Sequence, residues 1–330
     1  MTENDSKKIL VTGGTGFVGS HLVHALIKRG YEVICLVREK SDTRCLKNLK
    51  LKLTLGDITK KDSLKEAVKN IDYVYHLAGI TKSKNIKTYY IVNSLGTKNL
   101  IEACEEINPK LKKFLYMSSL AAAGPGLMGI SVKEDDTCRP ISDYGKSKLK
   151  GEELLEKYNQ KIPITIVRPC AIYGPGDKDT LHFFKCVRKG IIPLLGGRKR
   201  YIKLCHVSDI INGCILAAES KYSSEKFFLA GDSIHTWEEI GEIMTKVFGK
   251  RGMQLLIPYP LLKFSASISE MFSGLFKTEP AFNRQKLLEM KQDWICDIKK
   301  AKELLGYAPI ITLKNGINET ASWYIKNRWL

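Results

Sequence analysis

The 330-residue chain has no CxxC pair, no internal repeat, no low-complexity linker, no basic tail or arginine-rich helix, and no run of about 18 uninterrupted apolar residues. Each absence removes a class. The nine cysteines (Cys35, Cys45, Cys104, Cys138, Cys170, Cys186, Cys205, Cys214 and Cys296) are odd in number and often lie inside apolar runs. They read as reduced, mostly buried thiols, and no metal site is expected. Nucleic acid is not an expected partner without a basic arm. The polar opening MTENDSKKILVTGG passes straight into a strand instead of a signal sequence, so the cytoplasm is the expected location.

What the chain does have is an ordinary soluble composition and an excess of cations. Hydrophobic residues make up 44% and charged residues 27%, and 53 Lys plus Arg against 35 Asp plus Glu leave a formal net charge of +18. Such an excess attracts polyanions, from nucleotides to an acidic membrane surface, although the lysines are scattered singly and in pairs as on any solvated face.

Short β-rich runs alternate with amphipathic ones through the first half. Strands are expected at Lys8–Thr12, Glu32–Val37, Tyr73–Leu77, Lys113–Met117 and Ile164–Val167, and helices at Gly19–Arg29, Asp62–Val68, Tyr89–Glu106 and Tyr144–Tyr158. This punctuation implies a parallel sheet with helices on both faces. After Tyr173 the pattern loosens into GPGD, a helix at Leu181–Lys189, a Gly196–Gly197 turn and a strand at Tyr201–Val207. The apolar stretch Leu255–Phe276 reads as core, as a pocket lid or as a membrane-touching helix; Lys263, Glu270 and two prolines interrupt it, which favours core or lid.

Gly13, Gly16 and Gly19 stand between the first strand and the first helix, where a tight turn brings backbone close to a pyrophosphate and aims helix N–H groups at its charge. The next strand ends in Leu36-Val37-Arg38 with no carboxylate to read a ribose 2′-hydroxyl. Arg38, with Lys40 and Arg44 nearby, supplies donors for a 2′-phosphate, so NADP is expected and NAD is the alternative. Tyr144 and Lys148 share one helix face at i,i+4. A phenol near pKa 10 becomes a usable acid or base at neutral pH only when a cation such as this lysine stabilises its phenolate. Ser118 and Ser119 follow the fifth expected strand. Ser118 reads as a strand-end cap and Ser119 as a hydroxyl that orients a substrate oxygen.

With these residues the chain resembles the extended short-chain dehydrogenases/reductases, the NAD-dependent epimerase/dehydratase superfamily. The resemblance runs over TGGTGFVG (Thr12–Gly19), GDIT (Gly56–Thr59), HLAG (His76–Gly79), NSLGTKNL (Asn93–Leu100), the serines and AAAG, YGKSK, RPCAIYGPGD (Arg168–Asp177), HVSDI (His206–Ile210) and ELLGYAP (Glu303–Pro309). It implies a doubly wound Rossmann domain over residues 1–175, rejoined by 201–235, and a smaller α/β substrate lobe over 176–200 and 236–330. It also implies Ser119, Tyr144 and Lys148 as the catalytic set. Gly13, Gly16, Phe17, Val18, Gly19, Arg38, Asp57, Ile58, Leu77, Ala78, Gly79, Asn93, Tyr144, Lys148, Pro169 and Ile172 become the cofactor side, and Thr81, Tyr173, Phe183, Phe184 and Arg200 the substrate side. The helices near 89–106 and 144–158 resemble those that join two subunits in a four-helix interface, so a homodimer is expected.

Within that family the chain looks most like the branch of dihydroflavonol and 3β-hydroxysteroid enzymes. Ala171 stands where many sugar-nucleotide members carry a diphosphate-binding asparagine, and LVREKSD (Leu36–Asp42) resembles the NADP-using reductases. Phe183, Phe184, Leu261, Phe264, Met271 and Phe272 are either ordinary core or the wall of a pocket for an apolar ketone. Arg200, with Lys199 and Lys203, leaves room for a diphosphate and hence for a nucleotide-sugar epimerase or dehydratase. A dinucleotide-sensing binding protein is a third reading, opposed by the intact Tyr144–Lys148 pair. Peripheral membrane contact is a fourth, compatible with the first.

Overall fold

The computed structural model describes residues 7–127, 129–263 and 284–330. Its centre is a seven-stranded, wholly parallel sheet. The strands are β1 (Lys8–Thr12), β2 (Glu32–Val37), β3 (Lys52–Leu55), β4 (Tyr73–His76), β5 (Lys113–Met117), β6 (Ile164–Pro169) and β11 (Glu225–Leu229), in spatial order β11-β6-β5-β4-β1-β2-β3. The order reverses between β1 and β4, and a crevice opens there at the carboxyl ends of the strands, where sheets of this kind bind ligands.

Helices cover both faces. On one side lie α1 (Phe17–Lys28), which buries Gly19, Leu22, Val23 and Leu26 at helical spacing, and α7 (Val207–Glu219). On the other lie α3 (Gly96–Ile107), preceded by α2 (Ile86–Tyr89) and a π-helical segment Tyr90–Leu95, and α5 (Asp143–Glu156), whose N-terminus Ser142 caps through Gly145 N–H. The short α4 (Leu120–Ala123) follows β5.

Two local expectations change in the first half of the chain. Lys52–Leu55 is a strand that no motif announced, because as an edge strand it leaves Leu53 and Leu55 exposed and buries no apolar face. The helix expected at Asp62–Val68 is one 3₁₀ turn at Lys61–Leu64 followed by turns. There the Ser63 hydroxyl accepts from Asp57 N–H at 2.9 Å and donates to Lys60 O at 2.7 Å, so a side chain takes over backbone groups at the turn.

Beyond β6 come β7 (Ala171–Tyr173), α6 (Leu181–Arg188), β8 (Ile191–Leu195), β9 (Tyr201–Ile202) and β10 (Leu204–His206), and after β11 come β12 (His235–Thr236), α8 (Trp237–Val247) and β13 (Met253–Ile257). These strands form two-stranded pairs, β10 with β7, β12 with β9 and β13 with β8. The single strand expected at Tyr201–Val207 is thus two, divided at Lys203, whose N–H bonds Trp294 O at 2.9 Å. A separate apolar cluster around Phe184, Ile192, Ile240 and Tyr324 holds this part together with the helix Leu313–Lys326.

Candidate active site

The glycine-rich turn is shaped by close approach. Gly13 has φ +75°, and a Cβ there would lie 2.7 Å from Ala78 N; at Gly19 a Cβ would lie 2.1 Å from Gly13 O. No other residue fits without moving backbone. Gly16 caps α1 without any side-chain bond, and the first turn of the helix has no acidic residue, so its N–H groups face the crevice free for an anion. Phe17 and Val18 are partly buried in that turn. The residues present fit the pyrophosphate of a dinucleotide.

Arg38 is exposed just past β2, and its charge reaches Asp57 past β3. Burial pushes the Asp57 carboxyl up, but bonds from Thr59 N–H and hydroxyl and the charges of Arg38 and Lys60 outweigh it and lower the pKa. Arg44 is paired with Asp42 at 2.6 Å, whereas Arg38 and Lys40 form no ion pair within 4 Å among the described residues. The Ile58 side chain is buried against Gly96 and its carbonyl accepts from Asn99 Nδ2 at 2.9 Å, so it supports the crevice as packed core. Leu77 and Ala78 are partly buried and Gly79 exposed along the lip after β4; Pro169 is buried at the end of β6 and Ile172 partly buried on β7.

Asn93 was expected to face the cofactor. Its amide is engaged within the protein: Oδ1 accepts from Ile80 N–H at 2.8 Å, and Nδ2 donates to Ile80 O at 3.0 Å and to the Ser147 hydroxyl at 2.9 Å. It ties the loop after β4 to α5, and the π-helical segment that carries it brings it within reach of both. Beside it runs a hydrogen-bond relay that sequence reasoning missed. Ala78 N–H donates to Thr12 Oγ1 at 3.2 Å, Thr12 meets His76 Nδ1 at 2.7 Å, His76 Nε2 meets Thr97 Oγ1 at 2.9 Å, and Thr97 donates to Asn93 O at 2.8 Å. With an obligate donor at one end and an obligate acceptor at the other, each hydroxyl proton has one destination, so His76 carries its proton on Nε2. Burial, with the charge of Lys148, pushes His76 down to about 3 and keeps it neutral.

Tyr144 is partly buried in the first turn of α5. Burial pushes its phenol up to about 12, and the nearby Ser119 hydroxyl opposes that rise. One turn on, Lys148 is buried, donates to Met117 O at 2.6 Å and lies 4.3 Å above the centre of the Tyr116 ring. Burial pushes it down to about 7 against the pull of Glu152. The two serines exchange the roles expected of them in part: Ser119 caps α4, accepting from Ala121 N–H at 3.1 Å, while Ser118 donates to Glu152 Oε1 at 2.5 Å. A serine hydroxyl can accept from the cap and still donate, so Ser119 keeps a proton to offer.

Glu152 continues the i,i+4 series from Tyr144 and Lys148, a signal in the sequence that went unread. It forms a fully buried two-bond pair with Arg168, 2.6 Å from Nη2 and 3.0 Å from Nε. One carboxylate thereby joins α5, the end of β5 and β6 behind the reacting groups.

The substrate-side expectations fare differently. Tyr173 is buried edge-on against His206, with its hydroxyl where a Cβ on Gly316 would sit 2.2 Å away. Phe184 is buried between Phe248 and Tyr324, with the Tyr324 ring centre 5.1 Å away. Both are core because the helix Leu313–Lys326 and α8 close over them. Arg200, expected to hold a substrate anion, is buried and donates to Leu195 O at 2.7 Å and Gly196 O at 2.9 Å, fastening the turn after β8. Phe183 is partly buried against Trp237. Thr81 is exposed at the cleft mouth beside Lys82, which pairs with Asp179 at 2.5 Å. Leu261 is exposed. Phe264, Met271 and Phe272, with most of the Leu255–Phe276 stretch, lie outside the described residues. Over Tyr144 stands the helix Arg284–Met290: Asp143 N–H donates to Gln285 Oε1 at 3.1 Å, and the negative charges of Glu289 and Asp179 act on the phenol.

Residues 9–230 match the model of the NAD dependent epimerase/dehydratase family. The chain is 28% identical to a ceramide reductase of Caulobacter vibrioides, covering 98% of this chain and 96% of that one. It is 30% identical to a UDP-glucose 4-epimerase of Vibrio cholerae, covering 97% and 96%. It superimposes with a TM-score of 0.76 and 27% identity on the UDP-glucuronic acid 4-epimerase of Bacillus cereus in complex with NAD, covering 96% of each chain. By its matched motifs, its Rossmann-like sheet and its relatives, the protein belongs to the NAD-dependent epimerase/dehydratase family of extended short-chain dehydrogenases/reductases, and is an NAD(P)-dependent enzyme.

Proposed function

We propose that the protein is an NADP(H)-dependent oxidoreductase that interconverts a ketone and a secondary alcohol on an apolar small molecule of lipid, sterol or flavonoid type. The observation that supports this over sugar-nucleotide chemistry is the state of Arg200: both its Nη groups donate to the Leu195 and Gly196 carbonyls, which leaves only the buried Nε without a partner. One further feature supports it: Ala171 presents no amide to a diphosphate.

A bound nicotinamide dinucleotide supplies or accepts the hydride at the substrate carbinol carbon. Gly13, Gly16 and Gly19 with the α1 N-terminus would hold its pyrophosphate, Arg38 its 2′-phosphate, and Leu77–Gly79, Pro169 and Ile172 would flank it. Tyr144 donates its proton to the carbonyl oxygen during reduction and takes it back during oxidation. Ser119 orients that oxygen. Lys148 stabilises the phenolate left behind, and because Tyr144 rests as a phenol the cofactor-free site stands ready for reduction.

The same reading makes residues 176–200 and 236–330 the substrate lobe. It includes a homodimer through the helices around 89–106 and 144–158, where Ile91 and Leu95 are exposed, and a cytoplasmic enzyme working at a membrane surface. The second reading, an epimerase or dehydratase with tightly held NAD(P), is favoured by the Vibrio cholerae relative.

Fluorescence titration with NADPH and NADH, on wild type and Arg38→Ala, together with assay of nucleotide retained on purification, tests the proposal. Wild type is expected to arrive empty and prefer NADPH, with the preference falling about tenfold in the variant on loss of a charge-assisted bond to the 2′-phosphate. Retained NAD indifferent to Arg38 transfers the assignment to the second reading.

A further inference from the structure

The pair β8–β13 and its flanks differ from the rest of the molecule in charge. Residues 181–200 and 243–263 together contain ten Lys and Arg and no Asp or Glu. Arg200 among them is buried and Arg198 is paired with Asp293 at 2.8 Å; in a chain with 35 acidic residues the remaining cations still concentrate positive charge on one part of the surface.

The pair also carries exposed apolar side chains. Along β13, Met253 is 63% exposed, Leu255 45% and Leu256 63%, so neither face of this edge strand is packed against a core. The turn that ends α6 brings cations beside them: Met253 N–H bonds Gly190 O at 2.8 Å, which sets Arg188, Lys189 and Arg251, all exposed, at the head of the strand. Glu242 on α8 reaches the strand through Gln254 Nε2 at 3.4 Å.

Large apolar side chains and cations on one edge, unpaired among the described residues, match an anionic bilayer, where the former enter the interface and the latter meet lipid phosphates. A nucleic acid would use the cations and leave the leucines in water. The edge is linked to the reacting groups by contact: Lys291 lies 3.4 Å over the Tyr259 ring, directly after the helix Arg284–Met290 that is bonded to α5 beside Tyr144.

We infer that the β8–β13 edge is a docking surface for anionic phospholipid membranes, seating the enzyme where an apolar substrate dissolves. The inference deepens the reading of an apolar substrate and rests on it for its purpose, but vesicle binding is measured without turnover, so the two fail separately.

The experiment is flotation of the full chain with vesicles of phosphatidylcholine alone and of phosphatidylcholine and phosphatidylglycerol in equal parts, at low and high salt. Binding is expected on the anionic vesicles, reduced by salt and weak on the neutral ones. The pairs Met253→Ser with Leu256→Ser, and Lys189→Glu with Arg251→Glu, are each expected to weaken it at least about tenfold while circular dichroism and cofactor binding stay unchanged. Wild type left in the unbound fraction at low salt overturns the inference. So does wild-type binding by either pair, and so does heparin or duplex DNA competing for binding that the Met253 and Leu256 changes leave untouched, which would mark a polyanion site.

Discussion

The floor of the cleft and the β8–β13 edge are built on opposite terms. On the floor, buried charges and hydroxyls meet partners within the chain: Glu152 meets Arg168 and Ser118, His76 meets Thr12 and Thr97, and Asn93 meets Ile80 and Ser147, with Arg168 Nη1 left over. At the edge, cations and apolar side chains face outward and the strand packs on neither side. A closed network fixes the geometry that proton transfer requires, because a buried polar group left unanswered is costly. An open edge keeps its groups for something outside the chain.

The sharpest way to break this contrast is at the reacting phenol. Tyr144→Phe is expected to lower turnover by about 100- to 10,000-fold while dinucleotide binding and the unfolding midpoint stay near wild type. Retained turnover would remove Tyr144 from the catalytic role and leave the floor a merely structural network.

Next comes the buried pair. Glu152→Gln leaves Arg168 without its counter-charge and should cost roughly 3–5 kcal/mol in urea unfolding, whereas Glu152→Met with Arg168→Met should recover most of the loss. If the single and double variants are equally stable, the pair is not the keystone described.

His76 sharpens the comparison through pH. Its folded pKa, about 3, lies below the value of 6.5 expected when unfolded, so between those limits the unfolded chain binds the proton and the folded chain does not. Stability therefore rises with pH across that window and is lost as pH falls through it, by roughly 5 kcal/mol from this residue. His76→Gln should show a shallower dependence from pH 3 to 6.5 than wild type. Parallel curves would contradict a neutral buried imidazole.

The smallest effect is expected at the edge. Met253→Ser with Leu256→Ser should shift unfolding by less than about 0.5 kcal/mol per site, since exposed side chains away from structural features contribute little. A loss of several times that size would mean the edge is packed, and would dissolve the contrast with the floor.

Legibility followed the same divide. The Gly13–Gly19 turn and the Tyr144–Lys148 pair could be read because both depend on local spacing, a tight turn in one case and a helical repeat in the other. The same repeat extends to Glu152, which was overlooked because its partners Ser118 and Arg168 are remote in sequence. Ser118 and Ser119 could not be told apart from position alone, since their roles turn on which strand and helix each faces. Tyr173, Phe184 and Arg200 suited a binding wall by residue type, but type does not say whether a ring or guanidinium meets a cavity, another ring or a carbonyl.

By itself the sequence determined the parallel α/β architecture, the dinucleotide turn and the proton-transfer pair, because backbone sterics and helical periodicity act over a few residues. The tertiary structure alone decided the tautomer of His76, the engagement of Asn93, the loss of Arg200 to backbone carbonyls and the open edge at β13. Each of these depends on which groups from distant segments arrive within about 3 Å, the range over which a hydrogen bond forms or a buried charge is answered.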